Sequence, residues 1–126
     1  MEKNRCNFKR FIKSFDYAFQ GLKSTLKDEQ NIFIMLIMAV IALTLGIVFK
    51  ISYLERLVIV LVIALVLSLE VMNTAIEAVV DLHDGNKTSK YGKMAKDCAS
   101  GAVLVASFFA LIIGIMVFLP KIIELF

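Results

Sequence analysis

LVIVLVIALVLSLEVMNTAIEAVVDLHD (residues 57–84) decides how the chain is read. Its first part, 57–69, is apolar but for Ser68. Alone it is too short for a bilayer, whose core takes about 20 helical residues. To cross, the helix must run on through EVMNTAIEAVV, which carries Glu70, Asn73 and Glu77 into the membrane or to its edge. Charge at that depth is expensive and calls for a reason. On a helix, the steps from Glu70 to Asn73, Glu77 and Asp81 turn through about 300°, 400° and 400°. The four side chains therefore fall within roughly 80° of one another and form one polar stripe. Lipid cannot face such a stripe, so it is expected to point into a helix bundle.

Working outward, NIFIMLIMAVIALTLGIVF (31–49) is long enough for a first span, 57–80 is the second, and CASGAVLVASFFALIIGIMVFL (98–119) is the third. KISYLER (50–56) reads as a short turn. LHDGNKTSKYGKMAKD (82–97) contains Asp-Gly-Asn and Tyr-Gly and reads as a polar loop. In the third span Cys98, Ala102, Ala106, Ala110 and Gly114 recur every four residues. A small-residue stripe of this kind lets helices approach closely and predicts a packing seam in a tight, oligomeric bundle.

Ahead of the first span, Phe8, Phe11, Ile12, Phe15, Phe19, Leu22 and Leu26 recur at helical spacing. Residues 1–28 are thus expected to hold an amphipathic helix in the membrane interface, aromatic face down. The predicted fold is an all-α integral membrane protein, a single domain over 1–126, with three transmembrane helices and this interfacial helix.

Composition agrees with that class. The chain has 126 residues, 60% of them hydrophobic, and a mean hydropathy of +0.83, too apolar for an ordinary soluble domain. Of 14 basic residues, Lys3, Arg5, Lys9, Arg10, Lys13, Lys23 and Lys27 precede the first span, and Lys87, Lys90, Lys93 and Lys96 lie between the second and third. By the positive-inside rule the N-terminus and the 82–97 loop are cytoplasmic, and the C-terminus is extracytoplasmic. The basic excess then reads as a topology signal and an attraction to anionic lipid rather than to nucleic acid. Cys6 and Cys98 fall on the reducing side and are expected to be free thiols. No signal peptide is expected, because the first apolar run starts near Ile32, too late and too long.

This topology gathers Glu29, Glu70, Asn73, Glu77, Asp81, Lys96 and Asp97 into one layer at the cytoplasmic edge. Carboxylate oxygens without a Cys/His cluster favour Mg²⁺ over zinc. A carboxylate in partly apolar surroundings can serve as a base, and lysine can neutralise phosphate oxygens. These are the parts of phosphoryl transfer, although no GxxxxGK loop is present. The same groups fit a cation- or proton-handling transporter, and the small-residue seam alone fits a non-catalytic scaffold. A relay needs polar groups across the whole membrane, whereas the outer half of every span here is apolar.

EVMNTAIEAVVDL, followed by MAKDCASGAVLVA, resembles the signature of the prokaryotic diacylglycerol kinase and undecaprenol kinase family. The pattern E-x-x-N-[ST]-A-I-E-A-x-x-D is long and specific, and the likeness covers nearly the whole chain. The resemblance implies a homotrimer with active sites shared between subunits, in the plasma membrane. It implies MgATP as donor and a lipid hydroxyl as acceptor. By motif position, Glu70 is the catalytic base beside the lipid. Glu29 and Glu77 hold Mg²⁺, while Asn73, Asp81, Lys96 and Asp97 position ATP and metal. Arg10 and Tyr17 match further nucleotide-contacting positions, Arg10 also lying toward the lipid, and Gly85 to Lys87 lies where the loop nears the nucleotide. E-x-N at Glu29 to Asn31, NTAIEAVVDL and AKDxAxGAVLxA look like the Gram-positive branch, similar to undecaprenol kinases, with diacylglycerol as the alternative substrate. A basic residue often found after Asn31 in that branch is replaced here by Ile32 and Phe33.

Overall fold

A computed structural model describes residues 7–126, so Lys3, Arg5 and Cys6 lie outside the described residues. Four helices follow one another: α1 (Phe8–Asp28), α2 (Gln30–Val48), α3 (Tyr53–Asp84) and α4 (Lys90–Leu125). Among the described residues there is no strand. By length and composition, α2, α3 and α4 can each cross a membrane.

The helices begin where short polar residues satisfy free N–H groups. Asn7 caps α1 by accepting from the Lys9 N–H at 3.0 Å. One residue, Glu29, separates α1 from α2. Its backbone is extended, and its N–H closes α1 on the Thr25 carbonyl at 2.9 Å. Ser52 starts α3 with a full capping box: its hydroxyl accepts from the Glu55 N–H at 3.1 Å and the Glu55 carboxylate accepts from the Ser52 N–H at 2.9 Å.

The apolar core sits at the α2–α3 turn. Ile51, Ile59 and Val117 are buried together, with Phe49, Ile63, Ile113 and Phe118 packed on them. The rings of Phe49 and Phe118 lie 6.3 Å apart. Gly46 gives Ile51 room, since a Cβ there would come within 3.0 Å of the Ile51 Cδ1. α3 packs most extensively on α4 and next on α2. The buried positions of α3 are Ile59, Glu70, Asn73 and Val80, and those of α4 are Gly92, Ala99, Val103, Ala106 and Val117. Steps of 3, 4, 7 and 11 keep each set on one stripe of its helix.

α3 and α4 both extend beyond the expected spans at each end, α4 running on through Pro120 to Leu125. α3 begins at Tyr53 inside the expected 50–56 turn, because the Ser52–Glu55 box starts it there. The expected 82–97 loop is only residues 85–89. α3 runs on to Asp84, and Ser89 caps α4 by accepting the Gly92 N–H at 2.9 Å. The third helix is therefore two turns longer at its start than the apolar segment 98–119. The packing stripe also shifts. The face of α4 buried in the chain is Ala99, Val103 and Ala106, while Cys98 and Ala102 are exposed. Ala102, Ala106 and Ala110 line an open apolar groove of about 530 Å³ between α3 and α4, with Val62, Leu65 and Phe109 among its other walls.

Candidate functional site

Taken as whole residues, Glu70 and Asn73 are the only buried polar positions of α3 among the described residues, 2% and 6% exposed. Both lie on the stripe that packs against the bundle, as the spacing predicts. Burying a carboxyl group without full hydrogen bonding is costly. Yet Glu70 Oε1 and Asn73 Oδ1 have no hydrogen-bond partner. The Asn73 amide donates to Glu77 Oε1 at 3.0 Å, one turn along the helix. Thr74 spends its hydroxyl on the Glu70 carbonyl at 3.1 Å, a bond within its own helix. The stripe therefore holds two buried acceptors without partners.

Glu29 reaches the same place from the α1–α2 junction. It occupies the cap position of α2, but its side chain makes no capping bond. Among the described residues its carboxylate has no ion-pair or hydrogen-bond partner, and it stands near enough to Glu70 to act on it electrostatically, as does Glu77. The Asn31 side chain also reaches Glu70. Asn31 was not singled out as a site residue in the sequence, and its only signal there was the E-x-N spacing from Glu29.

Further along α3, Asp81 pairs with Lys96 of α4 at 2.6 Å, and the two are 64% and 38% exposed. This is the one cross-helix ion pair among the described residues. Asp97 is exposed and accepts from Lys93 on its own helix at 2.6 Å. Arg10 and Tyr17 stand exposed on α1, without a side-chain hydrogen bond to the α3 stripe among the described residues.

Carboxylate and amide oxygens are the ligand type that Mg²⁺ takes. Among the described residues no three His, Cys, Asp or Glu side chains converge to hold a metal by themselves. Two carboxylates, Glu29 and Glu77, beside unpaired buried oxygens still fit Mg²⁺, which commonly keeps one or two protein carboxylates and completes its shell with phosphate and water.

A second groove, of about 420 Å³, opens between α1, α2 and α3. Leu67, Ser68 and Val71, which flank Glu70 along α3, form one wall, and Leu22, Leu26, Ile32 and Leu36 line the rest. Thr25 is buried at this groove and donates its hydroxyl to the Gly21 carbonyl at 2.9 Å.

The α3–α4 turn holds a cluster that sequence reading missed. Gly85 closes α3 with φ +60°, a conformation that favours glycine, and its N–H bonds the Asp81 carbonyl at 2.9 Å. Asp84 accepts from the Ser89 N–H and the Ser89 hydroxyl, each at 3.0 Å. His83 is exposed, and its Nδ1 lies 3.0 Å from Asp84 Oδ1.

Comparison with known proteins adds a consistent picture. Residues 16–118 match the family described as prokaryotic diacylglycerol kinase. The chain is 40% identical over 118 residues to an undecaprenol kinase of Bacillus subtilis (strain 168), covering 94% of this chain and 95% of that one. It is 37% identical over 112 residues to a diacylglycerol kinase of Synechocystis, covering 89% of this chain and 64% of that one. To a diacylglycerol kinase of Escherichia coli (strain K12) it is 30% identical over 112 residues, covering 89% of this chain and 91% of that one.

Proposed function

The chain belongs to the prokaryotic diacylglycerol kinase family and is a membrane lipid kinase that uses ATP, and from that premise we propose that it transfers the γ-phosphate of MgATP to undecaprenol. Diacylglycerol is the alternative acceptor, and the higher identity and fuller coverage of the undecaprenol kinase favour the prenol. The observation that carries the reading is the Glu70 carboxyl group: buried, with an unpartnered oxygen, on a helix whose neighbouring residues Leu67, Ser68 and Val71 wall an apolar groove.

Depth supports the same assignment. With 1.5 Å of rise per residue, a span that enters hydrocarbon at Leu57 reaches about 20 Å at Glu70 and about 30 Å at Glu77. A hydrocarbon core of about 30 Å then ends near Glu77. Glu70 sits where a lipid hydroxyl can reach it, and Glu77, Asp81 and Lys96 sit where water-borne ATP can. The cytoplasmic orientation follows from the basic residues of α1 and of 87–96. α1 lies in the interface with Phe8, Phe11 and Phe15, all exposed in the isolated chain, turned to lipid.

In the reaction, a Glu70 carboxylate oxygen accepts the proton of the lipid hydroxyl while the hydroxyl oxygen forms a bond to the γ-phosphorus. The bond from the γ-phosphorus to the bridging oxygen breaks, and ADP leaves. Asn73, donating to Glu77, holds that carboxylate in place and offers its own Oδ1 to the donor side. Lys96, steadied by Asp81, brings positive charge to the phosphates. Asp97 and the α1 side chains Arg10 and Tyr17 complete the nucleotide side. Glu29 and Glu77 would hold Mg²⁺, which when bound offsets phosphate charge.

A homotrimer with shared sites supplies what one subunit lacks. The open groove along Ala102, Ala106 and Ala110 is an apolar surface that a neighbouring helix can fill closely. The test is a side-by-side assay of purified protein with labelled MgATP, undecaprenol and diacylglycerol. Faster labelling of undecaprenol is expected. Faster labelling of diacylglycerol reverses the substrate assignment, and labelling of neither refutes the proposal.

A further inference from the structure

The α3–α4 turn carries contacts that the transfer step does not itself use. Asp84 is the last residue of α3, and its side chain is only 7% exposed although it sits at a polar turn. Its carboxylate accepts both the backbone N–H and the hydroxyl of Ser89, the residue that caps α4. The Ser89 oxygen in turn accepts the Gly92 N–H at 2.9 Å. Gly92 is buried, and only a residue without a side chain fits there. A Cβ would run into the Asp84 carboxylate and come within 2.7 Å of the Ser89 oxygen and 3.0 Å of a Val80 methyl. Asp84, Ser89 and Gly92 thus interlock the end of one helix with the start of the next.

The clamp stands one turn from the cross-helix ion pair. Asp81 lies three residues before Asp84 on α3, and Lys96 lies four residues after Gly92 on α4. Those offsets put each within about a turn of the clamp. Few apolar contacts set the register at this end, because residues 85–91 are exposed. A slip of one residue at the start of α4 would swing Lys96 about 100° around its helix and away from Asp81.

We propose that Asp84 is a positioning residue for phosphoryl transfer: through Ser89 and Gly92 it holds the first turns of α4 so that Lys96 meets the nucleotide phosphates beside Asp81 and Glu77. This rests on the reading of Lys96 as a phosphate-facing group. A mere helix cap would affect folding stability and leave nucleotide affinity alone.

The experiment measures KM for MgATP, kcat at saturating lipid, the Mg²⁺ requirement and the unfolding midpoint for the full chain in bilayers. Asp84→Ala is expected to raise KM for MgATP about tenfold, with kcat at saturating ATP within about twofold of the original. Asp84→Asn keeps an acceptor for the Ser89 N–H and should recover most of that loss. Adding Ser89→Ala to Asp84→Ala should cost less than about twofold more, since both disable one device. An unchanged KM in folded Asp84→Ala overturns the proposal. So does a raised Mg²⁺ requirement that Asp84→Asn fails to relieve, which would make Asp84 a direct ligand. If Asp84→Ala does not fold, Ser89→Ala alone is read the same way: a raised KM supports the clamp and an unchanged KM overturns it. Lys96→Met separates this from the underlying reading. If it leaves KM for MgATP unchanged, the role of Lys96 fails; if it raises KM while Asp84→Ala does not, only the clamp fails.

Discussion

The two ends of the α3–α4 pair are built on opposite principles. At the α2–α3 turn, Ile51, Ile59 and Val117 are buried among apolar neighbours, and the polar groups of Ser52 and Glu55 satisfy one another at the surface. At the other end the same helix pair buries Glu70 and Asn73 with acceptor oxygens unpaired. Packing density stabilises a fold, while an unsatisfied buried acceptor destabilises it. A chain that keeps the second arrangement beside the first has divided its helices into a holding end and a working end.

Substitutions can break that division, and the largest effect is expected at Glu70. Glu70→Gln removes the proposed proton acceptor but keeps the size, and it should lower kcat by about a hundredfold or more, measured as labelled lipid formed per enzyme. Glu77→Gln should raise the Mg²⁺ and MgATP concentrations needed for half-maximal rate by about tenfold; metal titration of the rate checks this. At the holding end, Ile59→Ala should destabilise the protein by about 2–5 kcal/mol while kcat in the folded fraction stays within about twofold, read by denaturation and assay of one preparation. The smallest effect belongs to the capping box. Ser52→Ala should lower stability by about 1 kcal/mol and leave KM for MgATP unchanged.

Much of this division is legible in the sequence. Hydropathy marks three helices, and the 3.6-residue period puts Glu70 and Asn73 on the stripe that is buried. Other features escape because they are tertiary. Residues 90–97 are mostly polar, follow Gly85-Asn86 and contain Tyr91-Gly92, so no apolar run announces that α4 starts at Lys90; its start depends on Ser89 and on Asp84 across a glycine turn. α4 carries small residues on more than one face, so spacing alone does not separate Ala99 and Val103, which pack within the chain, from Ala102 and Ala110, which border the open groove, with Ala106 between the two sets. Asn31 is a polar residue at a helix start, and only the approach of α2 to α3 brings it to Glu70.

The central claim is that Glu70 serves chemistry and not the fold. Its most direct test is Glu70→Leu, with unfolding midpoint and phosphate transfer measured on the same bilayer preparation. Replacing an unsatisfied buried carboxyl with an apolar side chain of similar size should leave the midpoint at or above that of the original while transfer to lipid is lost. A clear fall in the midpoint with transfer largely retained in the folded protein would contradict it.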